Sequence, residues 1–177
     1  MATGQKERRI HIRMNPRPGR EILVQTYSGA DTVPNCIDPE LEAQAVEFNK
    51  REIKKKGLIG VKHLGPPTGR FNCHGLVFAS RRTCIPPSNM LDSVNIDDLL
   101  QEDLYERVNS QPQVGDVVVY RGNREIEHTG YVVNVESLGG LETVWVWSKW
   151  GALEECVHPA NTSPYEDCTI EYWRLVQ

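Results

Sequence analysis

Gly115-Asp116-Val117-Val118-Val119-Tyr120 leads, through Arg121-Gly122-Asn123, into Glu127-His128-Thr129-Gly130-Tyr131-Val132-Val133. Both blocks are rich in β-branched and aromatic residues, and the link between them carries turn chemistry. Asp116–Tyr120 therefore reads as one strand and Thr129–Val135 as its hairpin partner. Downstream, Leu138-Gly139-Gly140 marks a turn. Thr143–Ser148 forms a third strand and Thr169–Val176 a fourth.

Upstream of this meander the periodicity changes. Residues 39–56 read as a helix, with Pro39 in the first turn and Gly57 past the end. Leu41, Ala45, Val46, Phe48 and Ile53 give it a loose apolar face. Residues 57–71 read as loop. A short helix is expected from Cys73 to about Arg82, stopped before Pro86-Pro87. Another is expected from Ile96 to Val108, capped by Asn95. Residues 1–35 are rich in Pro and Gly, with one strand-like run at Glu21–Tyr27. Helices followed by an antiparallel meander predict an α+β fold.

The chain has 177 residues and a mass of 20.1 kDa, with 39% hydrophobic and 25% charged residues. That suits one domain over 1–177, with an N-terminal extension to about residue 60 packed on a 61–177 core. The net charge of -4 disfavours a protein that works by neutralising phosphates. A nucleic-acid reading would have to rest on Arg8, Arg9, Arg13 and the run Lys50, Arg51, Lys54, Lys55, Lys56. That run is better explained as a solvated helix end favourable to cations. No apolar run reaches the ~18–20 residues a bilayer span needs, so no membrane role is expected. A polar start and an odd count of cysteines (Cys36, Cys73, Cys84, Cys156 and Cys168) point to reduced thiols and a cytoplasmic setting.

Three segments carry chemistry. In Phe71-Asn72-Cys73-His74-Gly75-Leu76-Val77-Phe78, a cysteine opens a helix, where N–H groups and the helix dipole favour a thiolate. The thiolate is the nucleophile, and nearby N–H groups suit an oxyanion. Gly75 allows close approach of backbone or substrate. His128 opens a strand, with Gly130 leaving space on its face, and is placed to serve as the base. In Trp145-Val146-Trp147-Ser148-Lys149-Trp150-Gly151, alternation puts Val144, Val146 and Ser148 on one face and Trp145, Trp147 and Lys149 on the other. Ser148 then points towards His128 as a candidate orienter. Lys149 is a donor only and does not fit that task. His158 is a second candidate, should the segment after Gly151 fold over the cleft.

His74 reads as a surface or substrate-rim residue, and Trp145, Trp147, Trp150 and Trp173 most simply as core and edge packing, with Trp150 the candidate to line a groove and bind substrate. Cys156-Val157-His158 with Cys168 lacks the paired spacing of a closed zinc site, so neither metal nor cofactor is expected.

These segments, in this order, resemble the papain-like fold of the NlpC-type and CHAP-type amidohydrolases. Asn72-Cys73-His74-Gly75-Leu76-Val77 is similar to the family's Asp-Cys-Ser-Gly segment. Gly115–Tyr120 resembles its Gly-Asp strand, and His128–Val133 its His-Val-Gly/Ala strand. The resemblance covers about residues 70–151. It implies a thiol hydrolase with Cys73 as nucleophile, His128 as base and a third polar residue at Ser148 or a neighbour. The chain departs from the pattern at Asn72, where the cell-wall enzymes often have Asp. The implied partner is a peptide, protein or peptidoglycan-like amide. Hydrolysis, deamidation and acyl transfer share this machinery. The alternative is an inactive module of the same fold that binds a peptide.

Overall fold

Three consecutive valines need apolar cover on both sides of a strand. In the computed structural model, Val117, Val118 and Val119 are wholly buried. The structure describes residues 22–24, 31–33, 39–85, 95–123, 125–165 and 167–176. Cys36, Pro86-Pro87 and the basic residues Arg8, Arg9 and Arg13 lie outside them, as do the side chains of Leu41 and Ala45.

In chain order, β1 (Ile22–Val24) and β2 (Asp31–Val33) pair antiparallel. Then follow α1 (Pro39–Lys56), β3 (Lys62–Leu64), α2 (Cys73–Phe78), α3 (Ile96–Glu102) and β4 (Tyr105–Arg107). The rest is strand: β5 (Val117–Arg121), β6 (Ile126–Leu138), β7 (Leu141–Lys149), β8 (Glu155–Pro159) and β9 (Thr169–Leu175). Seven strands form one antiparallel sheet in the order β3-β8-β7-β6-β5-β9-β4. The fold is α+β, as the pattern of helices and then meander implies. Among the described residues no helix is long and apolar enough to cross a membrane.

Register assigns every side chain to a face. Tyr120 pairs with His128, Val118 with Gly130, Gly130 with Ser148, Ser148 with Cys156 and Val146 with His158. One face therefore carries Val118, Tyr120, His128, Val132, Val146, Ser148, Cys156 and His158. The other carries Val117, Val119, Thr129, Tyr131, Trp147 and Lys149, and α2 lies on it. Val77 of α2 joins Ile85, Leu99, Leu100, Val117 and Val119 in a buried cluster. Tyr131 Oη donates to the Val77 carbonyl at 2.8 Å. Each fully buried aliphatic side chain there contributes about 1.5–3 kcal/mol by leaving water.

The differences from the sequence expectation have local causes. The Cys73 helix ends at Phe78, not near Arg82. Ser80 and Arg81 take positive φ (48° and 64°), and the N–H groups of Ala79 and Arg81 both return to the Gly75 carbonyl. The Ile96 helix ends at Glu102, not Val108. Leu104 turns to φ 62°, and Tyr105–Arg107 pairs instead with β9. The loop expected at 57–71 contains β3, and β8 was not expected at all. The Phe48 side chain, expected on the apolar face of α1, is 59% exposed, whereas Val46 and Ile53 pack beside Trp150, Leu153 and Cys156.

Asp116 shows why a Gly-Asp pair opens β5. Its buried carboxylate accepts from the Gln113 N–H and takes the Arg174 guanidinium in a fork at 2.7 and 2.8 Å. That ties the start of β5 to the far end of β9.

Candidate active site

Asn72 sets the position of Cys73. Its Oδ1 accepts the Gly75 N–H at 2.9 Å, which caps α2, and also the Ile85 N–H at 3.0 Å. Its Nδ2 donates to the Ile85 carbonyl at 2.6 Å. An aspartate could match the two accepted bonds but not the donated one. Asparagine at this position therefore locks the chain returning at Ile85 onto the start of the helix. Gly75 is needed because a Cβ there would lie 1.8 Å from the Thr83 carbonyl oxygen. Of the two uses expected for it, backbone approach is the one present.

Cys73 is buried, at 5% exposure. The backbone N–H groups of Thr129, His74 and Cys73 itself point at the sulfur. Val132 exchanges its backbone bonds with Gly115 and Asp116, so alternation turns Thr129 the other way, towards β7. The β6–β7 ladder ends at Gly130 and Ser148. The Thr129 N–H thus reaches the sulfur just where the ladder has run out, one residue from His128.

The electrostatics reverse one expectation. A helix-start cysteine was expected to have a lowered pKa. Burial instead pushes the Cys73 thiol up to about 11, against the smaller opposing pull of those N–H groups and of the Lys149 charge. In this arrangement Cys73 is a thiol. His128 is wholly buried, and burial holds its pKa well below the usual value, with His158 and His74 adding to the effect. It is a neutral imidazole. Its ring stacks on Tyr165 (centroids 4.4 Å apart, planes 15°) and leans on Tyr120 at 5.1 Å. Among the described residues neither ring nitrogen has a hydrogen-bond partner.

The remaining candidates are placed as follows. Ser148 shares the His128 face, but its Oγ pairs with His158 Nε2 at 2.8 Å. His158 Nδ1 is 2.8 Å from the Pro159 carbonyl, so it carries the proton, and Ser148 donates to Nε2. His74 is not on the surface or a rim. It is 3% exposed and its Nδ1 lies 3.0 Å from Thr129 Oγ1, because the α2 face that presents it is the one packed on the sheet. Trp150 is also buried, tilted against His158 at 5.1 Å, and its Nε1 has no partner among the described residues. Gly130 leaves room that β7 fills: a Cβ there would meet Val146 Cγ1 at 2.6 Å and the Trp147 carbonyl oxygen at 2.8 Å. Sequence reasoning missed Tyr165, and it weighed Lys149 only as an orienter of the imidazole and set it aside. Tyr165 lies in no local pattern, and only the β8–β9 connection brings it onto His128.

The described residues thus hold a buried thiol at the start of α2, with backbone N–H groups aimed at its sulfur, and a buried neutral imidazole on the adjoining His-x-Gly strand. Residues 66–148 match the CHAP domain. The match spans just under half of the chain and contains Cys73, His128 and Ser148. It agrees with the likeness to NlpC- and CHAP-type amidohydrolases carried by the same segments. CHAP domains are typically amidase or peptidase hydrolases, in general acting on peptidoglycan-like amides. No curated protein and no solved structure matches the chain.

Proposed function

We propose that the chain is a papain-like thiol hydrolase that cleaves an amide bond through Cys73 and His128. The carrying observation is the Thr129 N–H pointing at the Cys73 sulfur, one residue from a buried imidazole with both nitrogens unclaimed. The raised thiol and lowered imidazole favour a neutral resting pair over a preformed ion pair. Attack then proceeds by general base catalysis. As the sulfur bonds to the carbonyl carbon, its proton passes to His128. The imidazolium next protonates the leaving amine as the C–N bond breaks, giving an acyl-enzyme. Water, deprotonated by His128, releases the acid and restores the thiol. The N–H groups around Cys73 are the candidate oxyanion donors.

Tyr165 covers the imidazole, so a substrate carbonyl gains access when that ring moves aside. The third-residue role fits His158 and Ser148 only as a pair behind His128, since Ser148 is engaged with His158. The packing of Val46 and Ile53 of α1 against Trp150 and Leu153 supports treating the N-terminal part as an extension of one domain.

The test is amide release from soluble peptidoglycan peptides, with mass spectrometry of the intact protein during turnover. The expected result is an acyl adduct on Cys73, with turnover lost in both Cys73→Ala and His128→Ala. Undiminished hydrolysis by Cys73→Ala would sink the mechanism.

A further inference from the structure

Lys149 ends β7 with no exposed surface. Lysine is almost never fully buried without compensation, because an ammonium loses its hydration there. Its Nζ donates to the Gly151 carbonyl at 2.5 Å and the Leu153 carbonyl at 2.6 Å, and lies 5.3 Å from the centre of the Phe71 ring. These contacts fix the head group on the α2 side of the sheet.

Three placements bring it to the nucleophile. Phe71, whose ring the ammonium approaches, precedes Cys73 by two residues. One step beyond the last β6–β7 pair, Gly130 with Ser148, sets Lys149 against Thr129. Thr129 holds His74 through its hydroxyl and aims its N–H at the Cys73 sulfur. Lys149 and Cys73 therefore share one dry compartment, where a unit charge acts more strongly than in water. The titratable groups around the thiol are Lys149 from β7, Tyr165 from the β8–β9 connection, His74 on α2, and His128 beside Thr129 on β6. Of these, Lys149 is the one whose charge pulls the Cys73 thiol down against its burial. His128 projects from the opposite face, and the charges that act on it are those of His158 and His74.

We propose that Lys149 is a positioning residue for the reaction: a buried cation that favours the Cys73 thiolate at the moment the thiol proton leaves for His128. It acts on the sulfur through space and touches no substrate. This division suits the chemistry. A cation placed equally near both partners would ease loss of the thiol proton but resist its arrival on the imidazole, and Lys149 is not among the charges that act on His128. The proposal rests on Cys73 being the nucleophile.

The test is the pH profile of Cys73 alkylation by iodoacetamide, followed by mass spectrometry on the full chain and on Lys149→Met and Lys149→Arg. Lys149→Met should move the profile about one unit alkaline, roughly tenfold slower alkylation at a fixed pH on the rising limb. Lys149→Arg should recover most of the shift. An unmoved profile in a folded Lys149→Met protein overturns the proposal and leaves Lys149 as a staple for the turn after β7. Should Lys149→Met not fold, the Lys149 Nζ resonance is followed through pH in the wild type and in Cys73→Ser. An inflection present in the first and absent in the second is the expected result, and its absence from the wild type overturns the proposal. Amide hydrolysis surviving in Cys73→Ala would instead remove the nucleophile reading, which the alkylation profiles judge separately.

Discussion

His128 and His158 are buried on the same face of the same sheet, and their surroundings are opposite. His158 has both nitrogens engaged, with Ser148 and with the Pro159 carbonyl. Among the described residues His128 has neither, and its ring contacts are with Tyr120 and Tyr165. A buried polar group left unpaired costs about 1–3 kcal/mol, so a histidine kept that way has no evident stabilising role. The fully bonded ring belongs to the architecture, and the unbonded ring is the one the proposed mechanism uses as its base. The largest contrast should therefore be between His128→Ala and His158→Ala. The first should lower kcat/KM by about a thousandfold or more, the scale of losing a catalytic base, well beyond what the stability lost by emptying a buried site would explain. The second should cost about 1–3 kcal/mol of stability by stripping Ser148 of its partner. Paired thermal melts and amide-release assays check both, and equal loss of activity at equal stability would erase the distinction.

Acid should blur the same contrast. The folded pKa values of His74 and His158 fall to about 4 by burial, and that of His128 is also well down. In the unfolded chain a histidine titrates near 6.5. Between those values the unfolded state binds more protons, so stability present above about pH 6.5 is lost as pH falls towards 4. Each histidine contributes a slope of about 1.4 kcal/mol per pH unit in that window. Denaturant titrations from pH 7.5 to 4.5 should show the decline, and a flat stability across the window would mean the rings are protonated in the fold.

The hairpin that joins the two histidine environments is tested at Gly130. A methyl group there meets Val146 Cγ1 and the Trp147 carbonyl oxygen inside 3.0 Å, and the second of these is backbone. Gly130→Ala should cost about 1–3 kcal/mol by overpacking. Because the strain falls on the β7 strand that carries Ser148, kcat/KM should fall less than stability does. A neutral substitution would show that β7 can give way.

What the sequence made legible was periodic or capped. The valine run of β5, the partner strand β6, the β7 alternation, the full span of α1 and the Asn95 cap all stand on local chemistry that tertiary structure did not override. What was hidden depended on register. The β8 strand reads poorly, since its inward positions are Cys156 and His158, which do not look like a core stripe. β3 is three residues on a sheet edge. The start of α2 was readable from Asn72-Cys73, but the sign of the Cys73 shift was not. A helix start argues for a lowered pKa, and only the packed fold shows that burial outweighs it. Lys149 was dismissed as a histidine orienter for a sound reason, its lack of an acceptor, and that reason says nothing of a charge acting on the cysteine instead.

The smallest effect sharpens the comparison most, because it separates the two accounts of Ser148. Strand alternation places its hydroxyl on the His128 face, which made it the candidate orienter, yet the hydrogen bond it makes is to His158. If that bond is its role, Ser148→Ala leaves His158 Nε2 a buried acceptor without a donor and costs about 1–2 kcal/mol. His128 keeps its ring contacts, so kcat/KM should stay within about fivefold of wild type, below the ~10²–10⁴ range of general acid–base effects. If Ser148 instead swings to His128 when substrate enters and Tyr165 moves, the pattern inverts. Stability would then change little while kcat falls by two orders of magnitude at unchanged KM. Measuring kcat, KM and the melting temperature on one preparation of Ser148→Ala decides between a hydroxyl that supports the quiet histidine and one that steers the working one.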